Sequence, residues 1–72
     1  MEPHQRRVVE ERHELSRRID RLDDFIENSP LFLELDEKEQ ERMTLQSMAM
    51  KLYLNILKSR IANFKFPDIG LN

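Results

Sequence analysis

Four polar residues in the second half of the chain have side chains suited to binding a nucleotide. On a helix with about 100° per residue, they project within about 40° of one another. An arginine fork can hold a phosphate with two hydrogen bonds, an amide can read the edge of a base, and a tyrosine ring can stack on a base. We call this set the polar flank; its members are Arg42, Gln46, Tyr53 and Arg60.

The polar flank also has a purely structural interpretation. Charged residues commonly border the seam between packed helices, so the same side chains could form the rim of an interface. Arg60 would then pair with Glu11 or Glu14 on the first helix. Arg12 presents a similar choice, because it occupies a seam position from which it could reach out to solvent or set the register of the helices.

The sequence carries no pattern of a catalytic or metal site. There is one glycine and no cysteine, which excludes a glycine-rich phosphate loop and thiolate ligands. The two histidines, His4 and His13, lie nine residues apart, whereas two imidazoles on one helix bind one metal at i, i+4 spacing. Carboxylates are numerous, but they alternate with arginines as solvated ion-pair partners. We therefore expect no enzymatic activity, no metal and no cofactor.

Apolar spacing predicts the two helices that position the polar flank. In the first, expected from about residue 3 to 28, apolar residues alternate at spacings of four and three, as in a coiled-coil seam. This helix should end at Asn28-Ser29-Pro30, because the residue before a proline is driven out of the helical region. Asp36 and Glu39 have the spacing of a helix N-cap, so the second helix is expected from about residue 37 to 64. The seam residues of the first helix are Val8, Leu15, Ile19, Leu22 and Ile26.

The second helix has apolar residues on two opposite sides. One stripe would receive the first helix, and it consists of Met43, Ser47, Met50, Leu54, Leu57, Ile61 and Phe64. A second stripe lies roughly 160° to 200° around the helix from the first. Its members are Leu45, Met48, Ala49, Leu52 and Ile56. Monomeric proteins rarely leave such a surface exposed, so we expect another subunit to cover it.

The expected fold class is all-α: an antiparallel two-helix hairpin that assembles into a homo-oligomer. The chain has 72 residues and forms one domain, residues 1–72. A chain of this size buries only about 60% of the surface that its unfolded form exposes, so association should supply the missing stability. Residues 65–72 would form a tail that is flexible or docks on a neighbouring subunit through Phe66, Ile69 and Leu71.

The charge and hydropathy of the chain predict a protein of the cytoplasm. Twelve basic and 14 acidic residues leave a net charge of −2, so the chain as a whole has no electrostatic attraction to DNA or anionic lipid. The six arginines of the first helix are offset by seven acids, so a DNA-binding arm is the least favoured function. No apolar run approaches the ~20 residues that span a bilayer. We expect no DNA partner and no membrane partner.

Both helices resemble the helical hairpin domain shared by phage anti-CBASS and anti-Thoeris sponge proteins. The likeness covers about residues 4 to 64. In the first helix it is carried by the stretch from His4 to Leu15 and by Ile19, Leu22, Phe25 and Ile26. In the second it is carried by Arg42, Gln46, Met50, Tyr53, Leu57, Arg60, Ile61 and Phe64. This chain is little more than the hairpin, so pockets that depend on additional N-terminal elements of larger members are not expected.

The resemblance implies a counter-defence function in the host bacterial cytoplasm. Members of that family form oligomers, often hexamers, and sequester cyclic nucleotide messengers of bacterial immunity between protomers without turnover. The implied ligand is a cyclic di- or trinucleotide or a cyclic ADP-ribose-type molecule. The implied ligand-binding residues are the polar flank, with Arg7 and Arg12 as supporting positive charges.

A protein–protein adaptor is the alternative function. An exposed apolar stripe can dock a helix of a host or phage protein. Leu45, Leu52 and Ile56 would then be the anchors, and the arginines would form a polar rim. The oligomeric state separates the two hypotheses, because a closed homo-oligomer favours the sponge and a monomer or weak dimer favours the adaptor.

Overall fold

The computed structural model describes residues 1–64, and all the regular secondary structure in that range is helical. The three helices are α1, Pro3–Asn28, α2, Pro30–Glu34, and α3, Glu37–Ala62. The predicted all-α class is confirmed, but the predicted number of two helices is wrong because the connection between them forms α2. The tail predicted for residues 65–72 lies outside the described residues.

Ser29 separates α1 from α2. Its φ of −90° and ψ of 127° are extended, so it breaks the helix just before Pro30. Its backbone N–H donates to the Phe25 carbonyl (3.2 Å), and its Oγ accepts a hydrogen bond from the Leu31 N–H (3.2 Å). One residue therefore ends α1 and caps α2, which is why the chain changes direction without a long loop.

Gln40 of α3 holds α2 in place. Its Nε2 donates to the carbonyls of Phe32 (3.1 Å) and Leu35 (2.9 Å) at the end of the short helix. The buried Phe32 ring also meets the Phe25 ring edge to face, with centroids 6.2 Å apart. These contacts provide hydrogen-bond donors for the last carbonyls of the five-residue helix and bury its aromatic side chain. The short helix could do neither alone.

The start of α3 follows the predicted N-cap. The Asp36 carboxylate accepts a hydrogen bond from the Glu39 N–H at 2.8 Å. Glu37 and Glu39 occupy the first turn, where the positive end of the helix dipole favours negative charge. The Glu39 carboxylate accepts a hydrogen bond from Nε of Arg42, the first member of the polar flank, which lies about one turn further along the helix.

Side-chain contacts order α1 and α3 antiparallel. Glu11 of α1 contacts Tyr53 of α3, whereas Asp23, further along α1, contacts Ser47, earlier along α3. The core between the two helices is built from the stripes predicted to face each other, and Leu57 at its centre is 0% exposed. Its members are Val8, Leu15, Ile19 and Leu57, with Met50, Leu54, Ile61 and Phe64 packed against them.

The second apolar stripe of α3 is exposed to solvent in the single chain. Leu45 and Met48 are each 61% exposed, Leu52 is 64% exposed and Ile56 is 49% exposed. We call these four residues with Ala49 the exposed stripe. None of the helices within residues 1–64 is long and apolar enough to cross a membrane.

Candidate ligand-binding site

The polar flank is exposed along the whole of α3, and it is long enough to form two separate ends. Arg42 and Arg60 lie 18 residues apart. At 1.5 Å per residue this is about 27 Å, too far for one compact ligand to contact both arginines of a single chain. The flank therefore has an Arg42 end, with Gln46, and a Tyr53 end, with Arg60.

The Tyr53 end gathers groups from both long helices. The Tyr53 hydroxyl donates a hydrogen bond to the Glu11 carboxylate. Arg7 lies one turn before Glu11 on α1, and Arg60 lies two turns after Tyr53 on α3. Because the helices are antiparallel, Arg7 and Arg60 lie on the same side at the same end of the pair. Both are exposed, and among residues 1–64 neither forms an ion pair.

The structure corrects the expectation that Arg60 pairs with Glu11 or Glu14. Glu11 accepts the Tyr53 hydrogen bond, and Glu14 accepts from Arg18 at 3.5 Å, one turn along its own helix. A neighbour on the same helix at i, i+4 is easier to reach than a residue on the other helix. Within the described residues, the Arg60 guanidinium is therefore available to an anionic ligand.

Arg42 is paired, but only at the surface. Its Nε lies 2.9 Å from Glu39 Oε1, and the two side chains are 65% and 42% exposed. An exposed pair of this kind contributes about 0–1 kcal/mol, so a phosphate can displace the carboxylate at small cost. The Gln46 amide has a weak contact with the Met50 sulfur at 3.8 Å. Both side chains can therefore turn toward a ligand.

Arg12 lies apart from the polar flank. It is partly buried, and it precedes Asp23 by eleven residues, so the two project within about 20° of each other on α1. Asp23 contacts Ser47 and Lys51, which lie on the side of α3 away from Tyr53. The structure therefore brings Arg7 to the Tyr53 end of the flank and places Arg12 on the opposite side of the helix pair.

Asp23 joins the helices on that opposite side. Its Oδ1 accepts a hydrogen bond from the buried Ser47 hydroxyl at 2.5 Å, and its Oδ2 lies 2.9 Å from Lys51 Nζ. The hydrogen bond from Ser47, followed by the contacts with Lys51, lowers the pKa of Asp23 below its ordinary value. Sequence reasoning missed this pairing, although a serine within an apolar stripe is a signal that the facing helix supplies a polar partner.

A surface depression also lies away from the polar flank. A groove of about 510 Å³ lies where α2 meets the start of α3, and two carboxylates line it. Its lining residues are Phe32, Glu37, Gln40, Glu41, Thr44 and Leu45. Because no cation lines the groove, it does not suit an anionic ligand. The groove and the polar flank are therefore different candidate sites, and only the flank has the charge that a phosphate needs. Among residues 1–64, no group of three or more His, Asp or Glu side chains is placed to hold a metal ion.

Comparison with known proteins places this chain among phage proteins. A 7.5 kDa protein of Enterobacteria phage T4, from the denB-rIIB intergenic region, is 40% identical over 62 residues, which cover 86% of this chain and 95% of that protein. No solved structure matches the chain. The family model described as Sequestin matches residues 2–63, a span that contains α1, α2, α3 and every candidate ligand-binding residue. The chain therefore belongs to the Sequestin family.

Proposed function

We propose that this protein is an oligomeric phage counter-defence sponge, which binds cyclic nucleotide immune messengers and holds them without cleaving them. The Sequestin family name and the phage T4 relative support a phage protein that sequesters a molecule. The observation that carries the proposal is the Tyr53 end of the polar flank. There an exposed aromatic ring is followed, toward the same end of the helix pair, by two exposed arginines, Arg7 and Arg60, that form no ion pair within residues 1–64.

The side chains of the flank contact different parts of a cyclic nucleotide. Arg60 contacts a phosphate at the Tyr53 end of the flank and Arg42 contacts a phosphate at the other end, because a guanidinium matches two phosphate oxygens with parallel hydrogen bonds. The Tyr53 ring stacks on a base, and Gln46 reads a polar base edge. Arg7 adds positive charge close to Arg60. Arg12, on the other side of the helix pair, contributes only to the general field.

These groups bind anions and do not attack them. Arginine, glutamine and tyrosine stabilise a phosphate without offering a strong nucleophile at neutral pH. The carboxylate at this end, Glu11, accepts the Tyr53 hydrogen bond. This composition supports sequestration rather than hydrolysis.

The exposed stripe supports an oligomeric sponge. A single chain presents the flank on a convex surface, whereas ligand sites are usually concave and bury most of the ligand. Burial of the stripe against other copies would remove apolar surface from water and would create walls around the flank. A homo-oligomer, up to the hexamer implied by the resemblance, satisfies both needs.

Isothermal titration tests the proposal directly. The purified protein is titrated with a panel of cyclic dinucleotides, cyclic trinucleotides and cyclic ADP-ribose isomers. We expect saturable binding of at least one compound, and mass spectrometry after heat denaturation should recover that compound intact. An absence of binding across the panel would refute a sponge for these messengers, and recovery of a cleaved product would make the protein an enzyme instead.

A protein–protein adaptor is the second candidate, and the exposed stripe is the observation that favours it. In that function the stripe docks an apolar helix face of a host or phage protein, and the arginines form the rim. Light scattering of the purified protein separates the two functions. A stable mass of two or more chains supports the sponge, and a monomeric mass with an exposed stripe supports the adaptor.

A further inference from the structure

We propose that the groove between α2 and the start of α3 docks an amphipathic helix of another protein, one that carries lysine or arginine beside its apolar face. The groove lies away from the polar flank, so this docking does not depend on a cyclic nucleotide. It also differs from the adaptor function, which would use the exposed stripe. Of that stripe only Leu45 lines the groove.

The groove is formed before any partner binds. Phe32 lines it with a side chain that is itself buried and meets the edge of the Phe25 ring. Gln40, which also lines the groove, ties α2 to α3 through hydrogen bonds to the carbonyls of Phe32 and Leu35. Binding to a preformed site costs less free energy than binding that must first order a segment. The groove is therefore suited to receive a partner without rearrangement of α2.

The shape of the groove suits an elongated partner. Along α3 its lining residues run from Glu37 to Leu45, which is about 12 Å, or just over two helical turns. Four of the six lining residues are exposed, so the groove is open to solvent, whereas small-molecule sites usually enclose most of the ligand. An amphipathic helix lying along such a groove fills it with apolar side chains three or four residues apart.

The polar side chains of the groove accept hydrogen bonds and have no donor to offer. The Gln40 amide nitrogen has two hydrogens and donates to two carbonyls of the α2 segment. The Thr44 hydroxyl donates to the Gln40 carbonyl at 3.0 Å. The ionised carboxylates of Glu37 and Glu41 can only accept. A polar group that enters the groove must therefore be a donor, and lysine and arginine side chains are donors without acceptors.

The two carboxylates of the groove lack a partner within the chain. Glu37 and Glu41 are exposed, and among residues 1–64 neither forms an ion pair. They lie four residues apart, a spacing at which like charges destabilise a helix. The helix dipole compensates Glu37 in the first turn, but its effect fades before Glu41 in the second.

A basic helix matches this spacing. Two cations that are themselves three or four residues apart on the docked helix can lie opposite Glu37 and Glu41 at the same time. They remove the repulsion between the carboxylates, while an apolar side chain between them packs against Phe32 and Leu45. Complementary charge fixes the orientation of the partner, and the apolar contact supplies surface that leaves water.

Fluorescence anisotropy of the full-length protein tests the docking. The probe is a labelled synthetic peptide of about 18 residues, long enough to form a helix, with leucine on one face and lysine along its edges. One control peptide has glutamate in place of lysine, and another has the composition of the probe in scrambled order. We expect saturable binding of the basic amphipathic peptide alone.

Paired charge reversals separate the groove from the overall charge of the protein. Glu37→Lys with Glu41→Lys should weaken binding of the basic peptide by about tenfold or more, because two attractions become repulsions. Glu10→Lys with Asp20→Lys makes the same change in net charge at exposed positions of α1. This control should change the affinity by less than about twofold, since exposed charges away from the groove are screened.

A third variant tests the shape of the groove with its charges unchanged. Thr44→Phe places a large side chain in the groove from an exposed position, and it should weaken peptide binding by about tenfold or more. Circular dichroism of each variant establishes that the helices are intact. This variant keeps the test decisive if Glu37→Lys with Glu41→Lys does not fold.

Three results would overturn the proposal. Equal binding of the basic and scrambled peptides would show attraction to charge without docking of a helix, and equal losses in the two paired reversals would show the same. An absence of binding by the full-length protein would mean that the groove is closed, for example by a second copy of this chain. The peptides contain no nucleotide, so each result leaves the sponge proposal to its own titration.

Discussion

The Tyr53 hydroxyl donates a hydrogen bond across the helix pair to the Glu11 carboxylate. The sequence assigned the Tyr53 ring to base stacking. The contact holds the hydroxyl end of this side chain against a negatively charged group. Tyr53 therefore has two roles that substitutions can separate. The ring is a surface for a base, and the hydroxyl ties the polar flank to α1.

Substitutions at this pair should change ligand affinity in opposite directions. Tyr53→Ala removes the ring and should weaken cyclic nucleotide binding by about 1–3 kcal/mol, the usual contribution of a base stacked on an aromatic side chain. Tyr53→Phe keeps the ring and should retain most of the affinity. Titration calorimetry on the parent and both variants measures the difference, and equal losses in the two variants would show that the hydroxyl, rather than the ring, binds the ligand.

The Glu11 carboxylate should oppose ligand binding. Glu11→Gln keeps an acceptor for the Tyr53 hydroxyl and removes a negative charge near the phosphates, so affinity should rise by about fivefold, or roughly 1 kcal/mol at a solvated distance of 4 Å. The gain should shrink as salt is added, because screening weakens the repulsion that the substitution removes. Weaker binding by Glu11→Gln would mean that the carboxylate itself contacts the ligand.

Both ends of the polar flank should contribute to binding. A charge-assisted hydrogen bond contributes about 1.5–3 kcal/mol, so Arg42→Ala or Arg60→Ala should weaken ligand binding about tenfold or more. Arg17→Ala is the matched control, because Arg17 is an exposed arginine on the outer face of α1. Unchanged affinity in both flank variants would remove these arginines from the site, and an equal loss in Arg17→Ala would indicate a nonspecific charge effect.

Stability should fall in acid through Asp23. The pKa of Asp23 is lowered in the folded chain below its ordinary value of 3.8, so its ionised form stabilises the fold above that pH. This contribution is lost as the pH falls through the lowered folded pKa. Urea unfolding followed by circular dichroism, at fixed protein concentration and several pH values between about 2 and 7, measures the loss.

Asp23→Asn supplies the comparison for that pH profile. The amide can still accept from Ser47 but loses the attraction to Lys51, so the variant should be less stable at pH 7 and should show a flatter acid profile than the parent. Asp20→Asn, an exposed position on the same helix, should follow the parent. A parent-like acid profile in Asp23→Asn would contradict this assignment.

Leu57 should be the most sensitive position of the core. Its side chain is 0% exposed, and replacing a buried leucine by alanine costs about 2–5 kcal/mol. Domains have only about 5–15 kcal/mol of stability, so Leu57→Ala should lower the melting temperature strongly or prevent folding. Leu33→Ala, at a side chain that is 76% exposed, should change stability by less than about 0.5 kcal/mol. Thermal unfolding of both variants compares them.

Local rules predicted much of the helical structure. Regular spacing of apolar residues predicts a helix and the side that it buries, because side chains three and four residues apart share a face. The buried Val8, Leu15 and Leu57 are residues of the predicted facing stripes. Likewise, the Asp36 cap depends only on residues a few positions apart, and it forms as expected.

Contacts between distant residues were decided by the tertiary structure. Gln40 stabilises α2 by reaching back to Phe32 and Leu35, and nothing within residues 30–34 alone predicts a stable helix of five residues. In the same way, the partner of Glu11 proved to be Tyr53 rather than Arg60.

The sequence by itself determined the two long helices, which stripe is buried between them and which side chains could hold a phosphate or a base. Only the packing of α1 against α3 decided which of those side chains lie together. It placed Arg7 with Tyr53 and Arg60, and it put Arg12 on the side of Asp23. The physical reason is that helical periodicity sets the direction of a side chain about its own axis, whereas its neighbours depend on the rotation and register of the facing helix.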